Sequence, residues 1–282
     1  MRVAPGHTAA AFTRIAVEPV GATVGAVVTG VDLRQPIDDA QFHELDAALA
    51  EHKVLLFHDQ YLTLAQHASF AARWGPLVDD HLIPSQRPDP VDNVVVFTRD
   101  ADQVGLENEW HTDGTFRTVP TMGTVLRAIE VPDIGGDTIF ADMAAAYDNL
   151  PDELKARVEP LRAVHDWSLG AYAGKYGDHL DEYRARVPPV AHPIVLRHPR
   201  TGRSTLFVNR LFTSHIEGLE PAESDALLDL LCRQAEVPEY HCRVRWRPGT
   251  IAFWDNVAVQ HYGVNDYYPS RRVMARASIA SV

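Results

Sequence analysis

The chain has 282 residues, 46% of them hydrophobic and 23% charged, and a formal net charge of −12. That length suits one large domain or two small ones, and the composition is that of a globular protein rather than a disordered or fibrous one. The acidic balance argues against a broad nucleic-acid interface, which needs a basic surface, and no apolar run approaches the roughly 20 residues that cross a bilayer. The opening residues lack the pattern of a secretion signal, and two cysteines, Cys232 and Cys242, make no disulfide framework. A cytoplasmic protein with free thiols, binding neither nucleic acid nor membrane, is the expectation.

In chain order, residues 1–14 read as a flexible arm of small and polar residues, and residues 15–282 as a single folded domain. Ile15 to Val31 alternates loosely and carries Gly21, Gly25 and Gly30, which predicts short strands with tight turns. Asp38 or Asp39 caps a helix over 40–52, where Phe42, Leu45 and Leu49 recur at helical spacing. The apolar run 53–57 does not alternate and predicts a strand buried on both faces. Thr63 opens a second helix with Phe70 and Trp74 on its apolar side, and Gly75-Pro76 stops it. The proline-rich stretch 79–92 is a loop, 94–97 a strand, and 99–109 a polar, mobile loop leading into Trp110-His111-Thr112-Asp113. Strands over 123–131 and 137–140 flank a turn at 131–136.

From Asp142 the pattern turns helical, with helices over 142–147 and 152–158. Residues 165–190 carry Gly170, Gly174, Gly177 and Pro188-Pro189 among several aromatics. A stretch that long without its own pattern is expected to be lid-like. Strands follow over 191–196 and 204–208, then a helix over 222–234 with Leu227, Leu228, Leu230 and Leu231 on its inner side. Strands over 240–246 and 250–254 surround a tight turn at Pro248-Gly249, and Asp255-Asn256 turns the chain toward His261. Many short strands with grouped helices argue against a parallel βαβ sheet and for a mixed α/β, mainly β fold.

The chemistry concentrates at two places. If His111-Thr112-Asp113 is extended, residues two apart point the same way, so an imidazole and a carboxylate aim at one point. Joined by His261, they would form the set of two His and one carboxylate that leaves one face of a metal open, as in non-haem Fe(II) oxygenases. His-x-Asp alone is weak, since the chain has 14 His. Downstream, Arg272, Met274 and Arg276 alternate with Val273, Ala275 and Ala277, which predicts a strand with both arginines on one face. A cation on the inner face of an apolar strand is costly unless an anion meets it, and a guanidinium suits a carboxylate in two-point contact.

In these motifs the chain resembles the taurine dioxygenase family of Fe(II)- and 2-oxoglutarate-dependent oxygenases. The matching stretches are Trp110-His-Thr-Asp-Gly-Thr-Phe116, Gly135-Gly-Asp-Thr138, Leu206-Phe-Val-Asn209, Trp254-Asp-Asn256, Gln260-His-Tyr262 and Arg271-Arg-Val-Met-Ala-Arg276. The resemblance implies a double-stranded β-helix (jelly roll) with helical insertions, and a small-molecule enzyme that is a homo-oligomer, dimer or tetramer. It implies Fe(II) held by His111, Asp113 and His261, and 2-oxoglutarate whose distal carboxylate meets Arg272 and the Thr138 hydroxyl. It further implies that O2 is consumed, that 2-oxoglutarate is decarboxylated to succinate and CO2, and that a C–H bond of the substrate is hydroxylated. Related halogenases lack the carboxylate ligand, so Asp113 favours hydroxylation.

On the substrate side the resemblance places Arg276 and His81 at an anionic group. Ile83 stands where the taurine enzymes carry Tyr, and Glu107 where they carry an Asn, so taurine is not expected. Trp167 and Phe212 are further candidates for the substrate side. A sulfonate, a sulfate ester, or a carboxylate such as an amino acid or aryloxy acid fits; for an amino acid, Glu107 or Asp80 would take the ammonium. Two other readings stay open: a zinc-dependent hydrolase, since three N/O ligands and water also suit zinc, and a non-catalytic jelly-roll binding protein.

Overall fold

The computed structural model describes residues 12–78, 93–103, 105–169 and 180–281. The expected arm over 1–14 therefore lies almost wholly outside the described residues, as do His81, Asp79, Asp80 and the middle of the lid-like segment.

Two facing sheets organise the chain. The larger has seven strands, in the order β1-β2-β3-β13-β5-β15-β4. These are β1 (Ala16–Pro19), β2 (Ala26–Thr29), β3 (Val54–Phe57), β4 (Val95–Arg99), β5 (Thr121–Glu130), β13 (Ile251–Asp255) and β15 (Arg272–Ala280). Its pairings are antiparallel except β2 with β3. The smaller sheet is antiparallel, with β6 (Thr138–Asp142) between β12 (His241–Val244) and β14 (Val259–Gly263). This is the jelly roll of the sequence-based expectation.

Period-2 alternation sorts the strands' side chains into two cores. On β3 and β13, Leu55, Phe57, Ile251 and Phe253 face two helices, whereas Val54, Leu56, Ala252 and Trp254 face the smaller sheet. The helices are α1 (Asp39–His52) and α2 (Leu64–Ala71). Both begin with a capping box, Asp38 with Gln41 and Thr63 with Gln66, which satisfies amides at each N-terminus that would otherwise lack partners. Phe70 and Trp74 meet Phe253 edge-on at 6.1 and 4.7 Å. Trp74 reaches this cluster from the turn after α2, not from the helix. β15 shows the same sorting: Val273, Ala275, Ala277 and Ile279 join the helix-side core and Met274 the inter-sheet core.

A third layer covers the smaller sheet's other flank. It contains α3 (Met143–Asp148), α4 (Asp152–Val158) and, further on, the helix Pro221–Cys232. Leu227, Leu228 and Leu231 of that last helix are buried, but Leu230 is 43% exposed, because it falls on the opposite side of the turn from its neighbours. The expected strand over 191–196 is two strands, β8 (Val190–Pro193) and β9 (Val195–Arg197), broken at Ile194. Three strands and a helix were not legible in the pattern, β14 (Val259–Gly263) among them. β7 (Arg162–His165) and β11 (Thr213–Ile216) pair with each other, and Leu180–Arg186 forms α5 within the lid-like stretch.

A buried ion pair joins the layers. Lys53, in the left-handed region at the end of α1, has its ammonium 3.2 Å from the Asp142 carboxylate that caps α3, and it donates to the Thr23 carbonyl at 2.7 Å. Lys53→Ala strands a buried carboxylate, so we expect a loss of about 3 kcal/mol in chemical denaturation, against about 1 kcal/mol for Asp38→Ala at its exposed cap. Equal effects would show that the pair adds nothing beyond surface electrostatics.

Candidate active site

A cavity opens between the two sheets, and His111, Asp113, Thr138, His261, Arg272 and Arg276 all line it. His261 lies within β14. His111 is not in a strand as expected: it forms a single antiparallel bridge with His261 and no further ladder. That one bridge is enough. His111 donates its amide to the His261 carbonyl at 3.1 Å, His261 returns the bond at 2.7 Å, and the ring centres lie 4.1 Å apart. Asp113 comes two residues later, in a turn, where the Thr121 hydroxyl donates to its carbonyl at 2.9 Å.

The His111 and His261 Nε2 atoms stand 3.8 and 3.7 Å from Asp113 Oδ1. These separations are too long for hydrogen bonds, yet one ion with bonds of about 2 Å to each side could span them. The tautomer of His111 suits the same role: its Nδ1 donates to the Glu109 carbonyl at 2.7 Å, leaving the Nε2 lone pair facing the cluster. Burial pushes the His261 pKa down to about 3, against the opposing pull of Asp113. Burial pushes the Asp113 carboxyl up, but His261, Arg276 and His111 outweigh it and hold that carboxyl below its ordinary value. A neutral imidazole beside an ionised carboxylate is the donor set a divalent ion needs. Among the described residues these three form the metal-competent cluster.

Arg272 and Thr138 lie on opposite sheets and line the same cavity. Arg272 Nε is buried without a hydrogen-bond partner among the described residues, and its guanidinium lies 5.9 Å from the Trp246 ring and 6.0 Å from that of Tyr267. Burial lowers its pKa. The Thr138 hydroxyl accepts from Trp246 Nε1 at 3.0 Å, so its own proton is free to be donated. Gly136, at φ +71, makes room here: a Cβ would lie 3.2 Å from Tyr267. Tyr267 and Glu107 favour the charged form of Arg272 from nearby.

Elsewhere on the cavity wall, Arg276 lies 3.9 Å from Asp113 Oδ1. Trp167, Leu211 and Phe212 form an apolar cluster with Phe116, and Phe212 stands edge-on to the His111 ring at 6.2 Å. Trp167 is tied by its Nε1 to the Val187 carbonyl at 2.9 Å, closing the described ends of the lid-like segment on one another. Glu107 lines the cavity, but its carboxylate is paired with Arg99. Burial raises its pKa and Arg99 more than offsets this, so the carboxyl stays below its ordinary value. Arg99 escaped the sequence analysis. Its signal was positional: β4 pairs with β15 so that Arg99 sits directly opposite Arg272, a like-charge pair that needs a nearby anion.

Residues 16–278 match the family described as taurine catabolism dioxygenase TauD, TfdA family. The chain is 39% identical over 272 residues to an (S)-phenoxypropionate/alpha-ketoglutarate-dioxygenase of Sphingobium herbicidovorans, covering 94% of each. It is 33% identical to an alkylsulfatase of Acinetobacter baylyi over 266 residues, 91% of this chain and 82% of that one. Among solved structures, a taurine dioxygenase from Burkholderia xenovorans superimposes with a TM-score of 0.83 at 32% identity, covering 96% of this chain and 90% of the other. AAD-2 in complex with Mn(II) and N-oxalylglycine gives a TM-score of 0.79 at 30% identity, over 96% and 98%.

In the metal-free protein, NMR should place the His261 titration near pH 3, far below the usual imidazole midpoint. A folded-state pKa below the unfolded value means that the unfolded chain takes up the proton first. The contribution to stability is therefore full above about pH 6.5 and is lost as pH falls toward 3. A His261 midpoint near 6.5 would show that the cluster is open to water.

Proposed function

This chain belongs to the TauD, TfdA family of alpha-ketoglutarate-dependent dioxygenases, and from that premise we propose how its cavity divides the work. His111, Asp113 and His261 hold Fe(II), Arg272 and Thr138 hold the distal carboxylate of 2-oxoglutarate, and Arg276 holds the anionic group of a small organic substrate. When bound, the iron supplies O2 activation coupled to decarboxylation of 2-oxoglutarate to succinate and CO2, and the substrate is hydroxylated. Asp113 contributes the one anionic ligand. Arg272 neutralises that carboxylate, and such a charge-assisted pair is stronger away from bulk water. Phe212 and Trp167 shield the reacting face from solvent.

The observation that carries the reading is Arg272, whose buried Nε has no hydrogen-bond partner and which makes no salt bridge among the described residues, on the same cavity as three converging metal-competent side chains. A zinc-dependent hydrolase leaves Arg272 and Thr138 without a role, and a non-catalytic binding protein leaves the cluster without one. Among the substrates considered, the apolar wall of Phe116, Trp167 and Phe212 favours an aryloxy carboxylate or an organic sulfate ester over a small zwitterion. Pairing of Glu107 with Arg99 weakens the amino-acid reading further, because that carboxylate is not available to an ammonium. A homo-oligomer acting in the cytoplasm completes the proposal. No helix among the described residues is long and apolar enough to cross a membrane.

Two sets of substitutions test this. His111→Ala, Asp113→Ala or His261→Ala should each nearly abolish both Fe(II) binding and turnover; full activity in any of them removes the metal assignment. Arg272→Ala should raise KM for 2-oxoglutarate about 100-fold, the loss of a charge-assisted pair, while Arg276→Ala acts chiefly on KM for the prime substrate. If both raise KM for 2-oxoglutarate alike and leave the substrate untouched, Arg276 has been misassigned.

A further inference from the structure

Asp113 stands outside any strand, so no ladder fixes its carboxylate. A buried hydrogen-bond chain does. Trp254 Nε1, which can only donate, bonds Asn256 Oδ1 at 2.8 Å. That bond sets the amide's orientation and turns Nδ2 the other way. Its two hydrogens go to the hydroxyls of Thr121 and Thr124, each at 3.0 Å. Both hydroxyls, having accepted, point their own protons onward: Thr121 to the Asp113 carbonyl and Thr124 to Asp113 Oδ2, each at 2.9 Å. The four side chains of this chain are buried, with exposures of 0 to 3%, so water does not compete for these bonds. The direction of every proton follows from the single donor at Trp254.

We infer that Asn256 and Thr124 are positioning residues that make Asp113 a one-oxygen ligand. This rests on the metal assignment above. Oδ2 is taken by Thr124, so Oδ1, the oxygen between the two imidazoles, is the one left to face an ion. A carboxylate free to rotate could offer both oxygens and fill the coordination position that O2 needs. Thr121 acts on the same turn from the backbone side, so one amide fixes both where Asp113 sits and which oxygen it presents.

The test uses the intact protein and Co(II) as a spectroscopic probe under anaerobic conditions. Thr124→Val keeps the shape of the side chain and removes the donor; Asn256→Asp keeps the acceptor for Trp254 and removes both donors. Each should weaken Co(II) binding by about 10- to 100-fold, the range seen when the partner of a metal ligand is lost. Each should also shift the Co(II) visible absorption as the carboxylate changes mode. Thr124→Ser, which restores the hydroxyl, should return affinity to within about threefold and recover the spectrum. KM for 2-oxoglutarate should hold in Thr124→Val while kcat falls, since Arg272 is untouched. Wild-type Co(II) affinity and spectrum in Thr124→Val overturn the proposal, and the Thr124 pair decides this even if Asn256→Asp fails to fold. If His261→Ala also binds Co(II) like the wild type, the metal assignment itself is what fails.

Discussion

Charge buried between two sheets is the constraint that the rest of this molecule answers. Asp113, Arg272, Arg276 and the Arg99–Glu107 pair face an interior otherwise built from Leu56, Phe140, Trp254 and Met274. Left alone, each such charge would cost several kcal/mol. The chain meets that cost in different ways. Glu107 lies beside Arg99, which stands opposite Arg272; Asp113 is surrounded by two imidazoles, Arg276 and a threonine hydroxyl. What these contacts leave over is Arg272 Nε without a hydrogen-bond partner among the described residues, and Asp113 Oδ1 facing two imidazoles at 3.8 and 3.7 Å.

Much of this was legible in the sequence because strands repeat every two residues. The alternation of Arg272, Met274 and Arg276 with small apolar residues named both the strand and the face that carries charge. Capping residues Asp38 and Thr63 located the starts of both early helices for an equally local reason. The reading failed where tertiary contact, not local pattern, decides. His111 lies beside His261 through a single bridge rather than a strand, and nothing in Trp110-His111-Thr112-Asp113 distinguishes the two. β7 and β11 are short, polar in part, and held by tertiary pairing, β7 lying between β11 and β8. Leu230 sits in a run of leucines in which only the exact turn of the helix decides which one faces out. Glu107 was offered to an ammonium; its pairing with Arg99, at the end of β4, depends on how the loop after that strand folds back.

The site also depends on residues that touch no reactant. Trp254, Asn256, Thr121 and Thr124 come from β5 and the end of β13, adjacent strands of the larger sheet, while the imidazoles belong to the smaller sheet and its bridge. The relative placement of carboxylate and imidazoles is therefore a property of how the two sheets pack. Filling between them by Phe140 and Trp254, whose rings both approach His261, sets that spacing.

β15 has one last consequence. Its odd-numbered residues fill the core against the helices and its even-numbered arginines serve the cavity, so a single inserted or deleted residue would exchange the two sets. Guanidinium groups would then enter the packing around Phe70 and Phe253, and alanine would line the cavity. Stability and ligand affinity would be lost in the same event, with no intermediate that keeps either. Over evolutionary time such a strand can drift by replacement at its cavity-facing positions, which retunes what is bound, while its length and phase stay frozen.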